Sequence, residues 1–81
     1  MLITLCIMYP FSEEKKQVEW VHVECPGGNF VVGPGHRPLV NILSGNRKVL
    51  YKEGGQQQTI DVSATGGLIH VTAQQVILFL N

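Results

Sequence analysis

Any chemistry in this 81-residue chain would rest on three histidines, two cysteines and one closely spaced set of glycines. The stretch Gly28-Asn29-Phe30-Val31-Val32-Gly33 has the G-x-x-x-x-G spacing of a phosphate-binding loop. Such a loop continues with Lys and then Ser or Thr, whose ammonium and hydroxyl reach phosphate and magnesium. Here Pro34 and Gly35 follow. Pro offers no N–H, and no helical pattern comes next whose N-terminus could hold an anion. Its glycines therefore read as turn residues on either side of a short strand.

The histidines, His22, His36 and His70, lack the close pairing with Cys or His that zinc sites show, such as C-x-x-C or H-x-x-x-H. His22 and His70 sit among strand residues and are expected to be solvated. His36 lies in a loop stiffened by Pro34 and Pro38, beside Arg37. That loop reads either as a contact surface or as a capped structural turn. Cys6 and Cys25 read as free, small apolar core residues of a reducing compartment. Ser12, Ser44 and Ser63 have no nucleophile-elbow context. Asp61 is the sole Asp, and Glu13-Glu14-Lys15-Lys16 reads as a solvated turn. No carboxylate pair is arranged for acid–base work. These residues do not describe an enzyme, and no metal or cofactor site is expected.

The elements that would position these residues are short and extended. Residues 2–9 read as a strand with Ile3, Leu5 and Ile7 on one face, and 10–17 as a polar turn. Residues 18–25 alternate, with Val21, Val23 and Cys25 on one face and Trp20, His22 and Glu24 on the other. Further strands are expected over 29–32, 39–43, 47–52, 57–63, 68–73 and 76–80. Gly and Pro clusters separate them, including a Gly54-Gly55 hairpin turn. No segment shows ten residues of helical period. The expectation is an all-β fold: a small flattened β-sandwich or partly open barrel of mostly antiparallel strands, one domain over 1–81. Ile3, Leu5, Ile7, Val21, Val23, Ile60, Val62 and Val71 should form its core. A chain so apolar (44%) for its size should also carry an exposed docking patch and self-associate when isolated.

Six basic and six acidic residues cancel. Nucleic-acid binders of this size carry a basic excess, so that class is demoted, and an electrostatic membrane anchor with it. No apolar run approaches the ~20 residues of a membrane-spanning helix. The opening segment lacks the basic start and small-residue cleavage site of a signal peptide, and no Arg precedes Arg37 as a transit peptide would require.

Against this background one resemblance stands out. Pro26-Gly27, Pro34-Gly35-His36 and Pro38-Leu39 resemble the signature of the ATP synthase epsilon subunit, approximately L-P-G-x-x-G-x-x-G-x-x-P-G-H-x-P-L. Thr65-Gly66-Gly67-Leu68-Ile69-His70-Val71 is similar to that family's S-G-G-F-x-E-V. Val76-Ile77-Leu78 is similar to its closing strand, and Leu5 to Pro10 to its first strand and turn. There are departures. The loop after Gly27 is shortened, Asn29 stands where Glu is frequent, Val32 where Gly is typical, and Gly33 where a bulkier residue is usual.

The resemblance implies the N-terminal β-sandwich of a non-catalytic rotor subunit in the central stalk. Such a domain docks to the gamma subunit and the c-ring and helps couple proton flow to ATP synthesis. It would lie at the cytoplasmic face of the inner or plasma membrane, held there only through the complex. The ring-facing loop would comprise Asn29, Phe30, Gly33, Pro34, Gly35, His36, Arg37 and Pro38, with no cofactor and no small-molecule substrate. The family's inhibitory helical hairpin follows the sandwich, and this sequence stops at Asn81 before it. The expectation is therefore a subunit that couples without braking ATP hydrolysis. The alternatives are a stand-alone β-sandwich adaptor and a small enzyme or ligand-binding barrel using His36 and Arg37 for an anion. A deep pocket beside His36 would mark the latter.

Overall fold

The computed structural model describes residues 1–80; Asn81, the residue after the last expected strand, lies outside them. The described chain forms nine strands and no helix. They are β1 (Ile3–Met8), β2 (Glu13–Val18), β3 (Trp20–Cys25), β4 (Gly28–Val32), β5 (Leu39–Leu43), β6 (Lys48–Glu53), β7 (Gln56–Asp61), β8 (Gly67–Val71) and β9 (Gln75–Leu80). Two sheets pack face to face: a five-stranded sheet in the order β2-β1-β9-β8-β5 and a four-stranded sheet in the order β4-β3-β6-β7. Every pairing is antiparallel except β1 with β9. The result is the expected sandwich, not closed into a barrel, with extents of 32 × 26 × 20 Å.

Period-two alternation built the core. Ile3, Leu5 and Ile7 of β1, Val21, Val23 and Cys25 of β3, and Ile69 and Val71 of β8 point between the sheets and are buried. All eight residues expected in the core are there, and Val18, Val32, Leu43, Val49, Tyr51, Val76, Leu78 and Leu80 join them. The Gly54-Gly55 hairpin is also as expected. Both residues have positive φ (58° and 80°), the backbone of a type I′ turn between Glu53 and Gln56.

Two expectations are corrected. Residues 10–17 are not one long turn. Only Tyr9 to Ser12 turns, closed by the Tyr9 N–H donating to the Ser12 carbonyl at 2.8 Å. Residues 13–18 then pair along β1 as an edge strand. Their charges hid this, because an edge strand needs no apolar alternation and is often blunted by Lys and Glu. Nor is 18–25 one strand. The chain leaves the first sheet at Val18, bends at Glu19, and enters the second sheet at Trp20. The Glu19 N–H donates to the Lys52 carbonyl at 2.8 Å, which fixes the crossover.

Lys16 ties the same edge shut. It points inward from β2, with Nζ 5.9 Å from the Tyr51 ring centroid and 3.7 Å from Glu53 Oε1, both on β6. The phenol and the carboxylate hold its ammonium above the ordinary lysine range.

Candidate docking surface

Strand β4 feeds the Gly33–Pro38 loop, and local chemistry fixes the loop's shape. Gly33-Pro34-Gly35-His36 forms a turn in which the His36 N–H donates to the Gly33 carbonyl at 3.3 Å. Pro34 presets the first central φ, and Gly35 takes the second at +81°, the pattern of a type II turn. The Gly35 N–H donates to the Ala73 carbonyl at 2.9 Å and pins the turn to the β8–β9 connection.

His36 is half-buried, and its ring stacks on Phe30 at a centroid distance of 6.1 Å and an interplanar angle of 29°. Its Nδ1 lies 2.8 Å from the Arg37 carbonyl. A carbonyl only accepts, so the proton of this bond sits on Nδ1, and Nε2 is left for an outside partner. Pro34, Gly35, Arg37 and Pro38 are exposed. His36 thus holds the turn, and Arg37 stands exposed on it.

Not all the expected loop residues come together. Gly33 to Pro38 cluster at one end of the sandwich, and Phe30 packs beneath them against the core. Asn29 stands at the opposite end of β4, near the β3–β4 turn. There it lines an open polar depression of about 290 Å³ with Glu24, Cys25, Pro26, Ser44 and Arg47. Arg47 Nε lies 3.8 Å from Glu24 Oε2 across it. Neither this depression nor the two other shallow ones described is lined by His36 or Arg37.

A second candidate surface was not located in the sequence. On the outer face of the five-stranded sheet, register aligns two rows across all five strands. One runs Glu13–Met8–Phe79–Leu68–Ile42, the other Lys15–Cys6–Ile77–His70–Val40. Val40 is 68% exposed, Ile42 57%, Leu68 47% and Phe79 41%. The opposite outer face, on the four-stranded sheet, is mixed: Asn29, Val31, Trp20, His22, Glu24, Lys48, Leu50, Lys52, Gln57, Thr59 and Asp61. The molecule is therefore two-faced, with one exterior dominated by apolar side chains.

A signal for this existed. Residues 39–43, 68–71 and 76–80 are largely continuous apolar runs. In an antiparallel sheet such a run means that the second face is not built for water alone.

Three residues on these outer faces correct their expected settings. Cys6 is buried, but on the outer face, where Met8 Sδ lies 3.6 Å and Glu13 Oε2 3.7 Å from its sulfur. Burial pushes its thiol up, and the Glu13 carboxylate adds to the effect. Cys25 does lie in the core, and both cysteines are free. His22 is half-buried rather than solvated, flanked by Val31 and Leu50, and its Nδ1 has no hydrogen-bond partner. His70 is half-buried as well, within the second apolar row. Among the described residues no cluster of three His, Cys, Asp or Glu could hold a metal, and no helix is long and apolar enough to cross a membrane.

No protein-family model and no curated protein matches the sequence. The fold, however, is similar to a chain in the cryo-EM structure of the Euglena gracilis mitochondrial ATP synthase, described as OSCP/F1/c-ring in rotational state 1. The TM-score is 0.87 at 20% identity, over 98% of this chain and 50% of that one. This chain thus spans about half the length of the chain it matches. The likeness establishes that the sequence folds as the same β-sandwich that occurs within a mitochondrial ATP synthase, consistent with the epsilon-type domain its motifs resemble.

Proposed function

We propose that this chain is an epsilon-type, non-catalytic subunit of an F-type ATP synthase, docking to the gamma subunit and the c-ring in the central stalk. The observation that carries the reading is the fold likeness, along nearly the whole chain, to a chain of an assembled ATP synthase. The Pro34-Gly35-His36-Arg37-Pro38 segment supports it, since the motif of the resemblance stands on an exposed, pinned turn. The two-faced exterior supports it as well. A subunit that works by docking needs an apolar surface that water would otherwise disfavour.

In this role the sandwich does no bond chemistry. It is a rigid block that transmits rotation. Its membrane association is peripheral, through the complex. The Gly33–Pro38 turn meets the polar loops of the c subunits, with Arg37 and His36 Nε2 offered to their carboxylates and amides. Because Pro34 and Pro38 already restrict the turn, little ordering cost falls on association.

The test is co-purification of the tagged chain with gamma and the c-ring, followed by proton pumping in reconstituted vesicles. Retention of both partners is the expected result, with c-ring retention weakened in Arg37→Ala while the fold stays intact. Failure to retain either partner would leave the adaptor reading in its place.

A further inference from the structure

Strand β5 ends the five-stranded sheet, and its free edge differs from the others. Edge strand β2 carries Glu13, Glu14, Lys15 and Lys16; β7 carries Gln56, Gln57, Gln58 and Asp61; β4 begins with Gly28 and Asn29. Charge on an edge discourages pairing, and Gly and Asp are poor strand formers. Strand β5 is Leu39-Val40-Asn41-Ile42-Leu43, with no charge, no glycine and no proline. Its middle three residues are all exposed.

The strand is also nearly a palindrome in residue character: Leu, β-branched, Asn, β-branched, Leu. In an antiparallel pairing of two copies centred on Asn41, Val40 faces Ile42 of the second copy, Leu39 faces Leu43, and Asn41 faces itself. No charge opposes a like charge. Isologous two-fold contact requires this kind of self-complementarity.

The main-chain groups agree with that register. The Ile42 N–H points away from β8, because it donates to the strand's own Asn41 Oδ1 at 2.8 Å. By strand alternation the Val40 N–H and C=O face the free edge too. Val40 and Ile42 would therefore form the hydrogen-bonded pairs of the new ladder. Asn41 would form the close, non-hydrogen-bonded pair on the axis. Each apolar row would then continue across the junction, Ile42 of one copy meeting Val40 of the other.

We propose that two copies of the free chain pair edge to edge through β5, in antiparallel register centred on Asn41. The Asn41 amide is the restraint: in the single copy it occupies the Ile42 N–H that pairing requires. This inference does not rest on the ATP synthase reading.

The test uses the isolated chain. Sedimentation across a concentration series should show the mass doubling and no further growth, since a two-fold edge contact closes. Val40→Lys, at an exposed position, should remain monomeric with an unchanged circular-dichroism spectrum, while Gln58→Lys on the β7 edge should still dimerise. The Asn41→Cys variant should form a disulfide-linked dimer under mild oxidation, since non-hydrogen-bonded neighbours stand about 4.5 Å apart at Cα. A wild-type chain that stays monomeric throughout, a Val40→Lys dimer, or no cross-link in Asn41→Cys under conditions where the chain dimerises would each overturn the proposal. Binding to gamma and the c-ring is measured separately, so its failure leaves this result untouched.

Discussion

Arg37 and His36 are adjacent, but the structure gives them different work. Arg37 is exposed, whereas the His36 ring covers Phe30 and its Nδ1 closes onto the Arg37 carbonyl. Arg37→Ala should leave the unfolding free energy within about 0.5 kcal/mol of wild type, as surface changes usually do. His36→Ala should cost about 1 kcal/mol, through the lost stack and hydrogen bond. Urea unfolding of the two variants separates them, and equal stabilities would show that the stack is not holding the turn.

Titration gives a second outcome at this scale. Folding raises the pKa values of the Cys6 and Cys25 thiols, the Tyr9 hydroxyl and the Lys16 ammonium. Burial leads for the thiols and for Tyr9, and the Tyr51 phenol for Lys16. A group whose folded pKa lies above its unfolded one stabilises the fold fully below the unfolded value. That contribution is lost as pH rises through the folded value. The ordinary values here run from 9.0 for the thiols to 10.5 for Lys16. These groups should therefore contribute constant stability through neutral pH and a progressive loss above about pH 9. Thermal unfolding from pH 7 to 11 reads this directly, and a midpoint that rises over that range would contradict it.

Among the elements, the crowded one is the β8 start. A Cβ added at Gly67 would fall on the Phe79 carbonyl oxygen of β9 and press on the Leu80 side chain. The strand cannot yield locally, because Gly67 pairs with Leu80 on one side and Leu43 on the other. Gly67→Ala should thus cost about 1–3 kcal/mol, the range of overpacking in a tight site. Gly33→Ala is the matched control: nothing stands within 4 Å of the added Cβ, and no positive φ is at stake. It should be close to neutral. If both variants unfold at the same urea concentration, the close approach at Gly67 is not a constraint. Core truncation sets the scale above these. Leu78, fully buried in β9, should lose about 2–5 kcal/mol on replacement by Ala.

At the scale of the whole molecule, the two exteriors predict different responses to charge. Leu68 lies inside the apolar rows and is nearly half exposed, so Leu68→Glu should keep the fold while weakening retention of gamma and the c-ring in the co-purification above. Thr59→Glu, on the mixed face, should leave retention unchanged. The same loss from both substitutions would mean that neither face is selective. Loss from Thr59→Glu alone would move the docking surface to the four-stranded sheet.

Alternation and punctuation made much of this legible in sequence. Ile3, Leu5 and Ile7 declared an inward face of β1, and Val21, Val23 and Cys25 that of β3, because a pleated strand sends every second side chain to one side. Gly54-Gly55 declared a hairpin because few other pairs accept positive φ twice. The Pro34-Gly35-His36 motif declared its turn for the same steric reason. What stayed hidden needed partners distant in sequence. The charges of Glu13 to Lys16 carry no strand signal, and only pairing with β1 makes them an edge. Glu19 looks like any strand residue until the Lys52 carbonyl receives its N–H and turns the chain into the other sheet. Cys6 alternates out of the core, and its burial comes from neighbours on β1 and β2. Nor could local pattern align Ile42, Leu68, Phe79 and Met8 into a row. Register across four strands brings them side by side, and it joins residues as far apart in sequence as Met8 and Phe79, 71 positions from each other.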